Sequence, residues 1–135
     1  MSKPNSGYFE GTTGAGLALI DEVIAKGIKI TPSEVIGIMR TSSGKIVWLE
    51  KGHLGNRPAG FAHIMDAHES NFNDKGIASS DIADFILTAV AKGKIIGYQG
   101  KGKGRPIYKV RFKGKEYCVA VTVGANGFIV GANPR

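Results

Sequence analysis

The chain has 135 residues, 42% of them hydrophobic, one cysteine and a formal charge of +7. That length suits a single domain with a real core, and a lone Cys118 excludes an internal disulfide. No apolar run approaches the roughly 20 residues of a membrane span, and the opening MSKPNSGYFEG lacks a signal-peptide core.

Residues 1–12 are small, polar and Gly-rich and read as a linker, leaving 13–135 as the folded domain. A first helix is predicted from Gly14 to Lys26, capped by Thr12 or Thr13 and stopped by Gly27. Leu17, Ile20 and Ile24 form its apolar stripe, widened by Val23. Ile28 to Thr41 reads as extended, above all Glu34 to Thr41. Ser42-Ser43-Gly44 is turn chemistry, and Lys45 to Glu50 alternates like a half-buried strand, so the two runs predict a β-hairpin. Lys51 to Gly60 is a loop containing His53 and Arg57.

A second helix is predicted from Gly60 to Asn73, with Phe61, Met65, His68 and Phe72 on one stripe and Ile64 beside them. A third runs from Ser80 or Asp81 to Lys92, burying Ile82, Phe85, Ile86, Ala89 and Val90 and ending at Gly93. Four antiparallel strands follow: Lys94–Gln99, Ile107–Lys113, Lys115–Val123 and Phe128–Ala132. Their turns fall at Gly114 and at Gly124 to Gly127. Helices first and a meander afterwards predict an α+β domain, with helices packed on one face of a twisted antiparallel sheet. Cys118, in mid-strand, reads as a small buried side chain.

The charge is unevenly placed. Residues 1–91 hold eight Lys/Arg and ten Asp/Glu, a balance of −2, whereas residues 92–135 hold ten Lys/Arg and one acid, a balance of +9. Lys92 to Lys115 carries nine basic residues and no acid, with GKGKGR (100–105) at its centre. Alternating cations and glycines suit a polyanion, because cations supply the field and bare amides supply donors. A Lys-rich sheet edge that resists aggregation would show the same charge. A membrane binder would instead place its cations on an amphipathic helix, so nucleic acid is the expected partner, without stable membrane binding.

Three motifs fail. Gly14-Ala15-Gly16 lacks the third glycine and the preceding strand of a dinucleotide site. Gly97 to Gly104 lacks the hydroxyl and the helix of a P-loop. No HEXXH is present. His63 and His68 on the second helix lie about 140° apart around its axis, so they do not share a narrow face. His63 with Asp66 and a distant ligand is a metal alternative, and no metal or other cofactor is expected. Lys101, Lys103 and Arg105 are candidates for holding phosphate. Tyr98 and Tyr108 flank the loop and could stack on a base or fill the strand. Lys109 and Arg111 extend the basic surface. Thr122 is the one hydroxyl in VAVTVG, a phosphate donor or a β-branched filler. RNA cleavage without metal needs a group to take the 2′-hydroxyl proton, a donor for the leaving oxygen and cations around the phosphorane. These residues suffice for it. A two-metal DNase would need paired carboxylates on the basic face.

The segments GFAHIMDAHESNF, GKIIGYQGKGKGRPIY and TVGANGFIVGANP resemble the toxin modules at the C-terminal tips of bacterial contact-dependent growth inhibition proteins. The resemblance spans residues 8–134 and is closest to the tRNase group with the barnase/EndoU/colicin/RelE-like fold. It implies a metal-independent RNase that cleaves tRNA, delivered from the surface of a producing bacterium into the cytoplasm of a target cell. It also implies a cognate immunity protein and, by likeness to some such toxins, elongation factor Tu as a partner. The helix histidine of the group matches His68 or His63, its loop cations match Lys101, Lys103 and Arg105, and its strand hydroxyl matches Thr122. The alternatives are a non-catalytic RNA-binding module and a metal-dependent DNase toxin.

Overall fold

The computed structural model describes residues 14–56, 58–100 and 104–135. The linker assigned to residues 1–12, together with Arg57, Lys101 and Lys103, lies outside the described residues. The chain is α+β, in the order α1 (Gly14–Ala25), β1 (Val35–Arg40), β2 (Ile46–Glu50), α2 (Gly60–Asp74), α3 (Ile82–Lys92), β3 (Lys94–Gln99), β4 (Arg105–Phe112), β5 (Lys115–Val123) and β6 (Ile129–Pro134). Short 3₁₀ turns at Pro32–Glu34 and Ser79–Asp81 lead into β1 and α3. The former breaks the run from Ile28 that reads as extended in the sequence.

β1 and β2 form an antiparallel hairpin, and β3-β4-β5-β6 form an antiparallel meander in that order. A parallel bridge from Trp48 to Phe128, with Trp48 N–H donating to Gly127 O at 3.0 Å, ties the hairpin to the approach of β6.

The hairpin is buried on both faces, not one. Ile46, Val47, Trp48 and Leu49 are all at or below 5% exposure. Met39, Val47 and Leu49 face the main core, whereas Val35, Ile38, Ile46 and Trp48 face Ile20 and Val23 of α1. A bulge between Val35 and Gly37 makes this possible. Side chains alternate with period two, so residues 35 and 38 share a face only if one residue is inserted between them. Trp48 finds a partner for its indole N–H in Glu50 Oε2 at 2.8 Å.

The α1 stripe differs from the sequence reading. Ile20 and Val23 are buried, but Leu17 and Ile24 are 45% and 50% exposed. Among the described residues α1 packs chiefly on one face of the hairpin, so it buries a narrower stripe than the apolar periodicity offers.

α2 and α3 pack between the hairpin and the meander. α3 buries Ile82, Phe85, Ile86, Leu87, Ala89 and Val90. Phe85 is the hub, with edge-to-face rings from Phe72, Phe112 and Tyr117 at 6.0, 5.3 and 5.4 Å. The start of α2 is set by two glycines back to back. A Cβ at Gly52 would fall 2.0 Å from Ala59 O, and one at Gly60 would fall 2.8 Å from Gly52 Cα. Both have positive φ, 71° and 79°, where side chains are strained. This close approach fixes where α2, and so its histidines, leave the loop.

Candidate nucleic-acid interface

β4 divides the basic segment between two faces. Tyr108, Val110 and Phe112 turn into the core, while Lys109 and Arg111 are exposed on the other side. Across the ladder Lys109 pairs with Cys118 and Arg111 with Glu116. Arg105 pairs with Gln99 on β3, and Thr122 pairs with Gly131 on β6. A bulge between Ile95 and Gly97 puts Gln99 on the Arg105 face and leaves Tyr98 on the Tyr108 face.

On the Arg105 face lies an amide pair. Gln99 Nε2 donates to Asn133 Oδ1 at 3.2 Å, and Asn133 Nδ2 donates back to Gln99 Oε1 at 2.9 Å. Gln99 is on β3 and Asn133 on β6, with two strands between them. At the usual spacing of strands, a flat sheet would hold them about 14 Å apart, so the meander curls around this face. Small residues beneath permit it: Ala120, opposite Asn133, is fully buried, and Gly131 has only hydrogen where a Cβ would sit 3.1 Å from the Arg105 guanidinium.

Each amide oxygen also takes an arginine. Arg105 donates to Asn133 Oδ1 at 2.9 Å, and Arg135 donates to Gln99 Oε1 at 3.0 Å. Among the described residues neither guanidinium has a carboxylate partner. Burial pulls Arg105 below the usual guanidinium range, and a guanidinium keeps its charge in proteins. The face therefore holds two charged guanidinium groups oriented by neutral acceptors, each with one side-chain hydrogen bond among the described residues.

α2 runs beside β6 and brings His68 to this place. His68, Asn71, Asp74, Lys75, Asn133 and Pro134 line one groove of about 340 Å³. His68 Nδ1 bonds Asn71 Oδ1 at 2.9 Å. With the amide oxygen as acceptor, Nδ1 is the donor, so in the neutral tautomer Nε2 is the acceptor nitrogen of the ring. His68 thus lines the same groove as Asn133, the acceptor of Arg105. His63 is half-buried on another side of α2, does not line the groove and makes no side-chain hydrogen bond among the described residues.

The remaining candidates separate. Thr122 is half-buried on the Arg105 face, opposite the Gly131 over which the guanidinium lies. Lys109 and Arg111 share that face further along β4, where Lys109 pairs loosely with Glu116 at 3.8 Å and Arg111 bonds Gly114 O at 3.2 Å. Tyr98 is 54% exposed and Tyr108 only 9%, both on the face away from Arg105. Burial raises the Tyr108 hydroxyl above its ordinary value, with Tyr98 adding to it. Neither ring is placed to stack on a base held at Arg105. Cys118 is half-buried on the basic face instead of in the core.

Gln99, Asn71, Asn133 and Arg135 did not stand out in the sequence. Periodicity is silent on neutral amides, and the one signal was that Gln99 and Asn133 fall inside GYQGKG and GANP, two of the segments that carry the family resemblance. Among the described residues no group of three or more His, Cys, Asp or Glu side chains is placed to hold a metal ion. Compared with known proteins, no family model matches the chain and no curated protein matches it.

Proposed function

We propose that this chain is an endoribonuclease that cleaves by acid–base transphosphorylation, and that it acts as an antibacterial toxin on tRNA. One observation carries the chemistry. His68 lines the same groove as Asn133, the acceptor of a half-buried Arg105 that has no carboxylate partner among the described residues. Imidazole exchanges protons near neutral pH, and a guanidinium held by neutral acceptors keeps its strength for a phosphate.

In this reading His68 Nε2 takes the proton of the 2′-hydroxyl. The 2′ oxygen forms its bond to phosphorus, and the bond to the 5′ oxygen breaks as that oxygen takes up a proton from water. Arg105 and Arg135 neutralise the charge gained by the phosphorane, and Thr122 donates beside them. The products are a 2′,3′-cyclic phosphate and a 5′-hydroxyl. The resemblance to growth-inhibition toxins supports tRNA as substrate, delivery from a neighbouring cell into the target cytoplasm, a neutralising immunity protein and elongation factor Tu as accessory. A segment with ten Lys/Arg and one acid, residues 92–135, suits both an RNA and an acidic inhibitor.

The test is cleavage of tRNA in EDTA by the wild type, His68→Ala and His63→Ala. Loss of cleavage in the first variant only, with cyclic-phosphate ends in the wild type, is expected. Full cleavage by His68→Ala would overturn the reading. Binding without cleavage by the wild type would leave an RNA-binding module, and duplex DNA cut only without EDTA would leave a metal-dependent DNase.

A further inference from the structure

A second groove of about 350 Å³ adjoins the first, sharing Lys75 and Pro134 as its wall. Lys75, Lys109, Lys115 and Arg135 surround it, against the single carboxylate Glu116. Glu116 is tied to Lys109 only by an exposed contact of 3.8 Å, which neutralises little. Its apolar lining is Ile77, Phe85 and Tyr117, of which Tyr117 is half-buried and the other two are buried beneath it. The groove lies beside the start of β5, where the pairing with β6 has run out beyond Val119 and the Arg135–Cys118 bond. Arg135 bounds it, its N–H donating to Cys118 O at 2.9 Å, while its guanidinium reaches back to Gln99.

Four cations over an aromatic and aliphatic floor suit a ligand that is anionic at one end and a flat ring at the other. Inorganic phosphate would use the rim and waste the floor. An apolar ligand would leave the rim's charge unmatched. Lys115 Nζ stands 5.7 Å from the Tyr117 ring centroid, so a cation and an aromatic ring lie side by side for the two ends of such a ligand. We infer that this groove is a nucleotide subsite, holding the nucleotide next to the one that sits between His68 and Arg105. The inference rests on the ribonuclease reading, since a strand leaving the first groove past Pro134 enters the second.

Cys118, the only cysteine of the chain, lines this groove and reports on it. The experiment measures its alkylation by iodoacetamide in the full chain carrying His68→Ala, with adenosine 5′-monophosphate, inorganic phosphate or adenosine added. Only ligand-free protein reacts, so the monophosphate at about ten times its dissociation constant is expected to slow alkylation about tenfold. Phosphate and adenosine at the same concentrations should protect less. In Lys75→Ala/Lys115→Ala, compared with its own ligand-free rate, protection should fall away. No protection by the monophosphate, or equal protection by phosphate alone, would overturn the subsite. Protection in a chain whose parent does not cleave RNA would keep the subsite and remove the ribonuclease. Cleavage without protection would do the reverse.

Discussion

The Arg105 guanidinium donates to Asn133 Oδ1, 28 positions away, at 2.9 Å. That bond joins the first residue of β4 to the next-to-last of β6, and its acceptor borders the groove of His68. Arg105→Ala is expected to lower kcat of tRNA cleavage by about 10²–10³, the range for losing one preorganised donor to developing charge. Asn133→Ala leaves the charge but frees its direction and should cost less, with KM nearly unchanged. Single-turnover rates check both, and equal loss in the two variants would contradict the division of roles.

Gly131 offers a way to move Arg105 without touching it. A Cβ there would fall 3.1 Å from one guanidinium nitrogen, the end of a flexible side chain. Gly131→Ala should therefore displace the guanidinium and slow cleavage while the β5–β6 pairing persists. Thermal unfolding within a few degrees of the wild type, together with a rate loss, is the expected pair of results.

The tyrosines behave oppositely to the cations. Tyr98 lies on the face away from Arg105, so Tyr98→Ala should leave cleavage and RNA affinity essentially unchanged. Lys109→Ala, on the Arg105 face, should lower the slope of log affinity against log salt by roughly 0.7–0.9 if it contacts one phosphate. Filter binding across a salt series measures both.

Alkaline stability tests the burial of Tyr108. Its hydroxyl is raised in the folded state, first by desolvation and then by Tyr98. The folded chain thus holds this proton more tightly than the unfolded one. The stability linked to it is complete below the ordinary tyrosine value of 10.0 and is lost as pH rises through the raised one. Tyr108→Phe should accordingly flatten the fall of unfolding free energy above about pH 10, followed by denaturant titration at several pH values.

Phe85 tests the core. It is fully buried and meets three aromatic rings. Phe85→Ala is expected to cost about 3–5 kcal/mol, read from chemical denaturation. Leu17→Ala, on the exposed side of α1, should cost well under 1 kcal/mol.

The sequence by itself determined the order and kind of the elements, because periods of 3.6 and 2 and the glycine turns are local properties of the chain. β3 and β5 run Lys94–Gln99 and Lys115–Val123 in both readings, and the basic bias of the last third needed only counting. Tertiary structure alone decided which side each element presents. The bulges at Val35–Gly37 and Ile95–Gly97 each shift the alternation by one residue, and a one-residue shift changes faces. Leu17 and Ile24 look like core until the width of the hairpin leaves them outside. Above all, nothing local joins Gln99 to Asn133, 34 positions apart. Their meeting depends on the curl of four strands over Ala120 and Gly131, and it is this curl that gathers Arg105, Arg135 and the groove of His68 into one place.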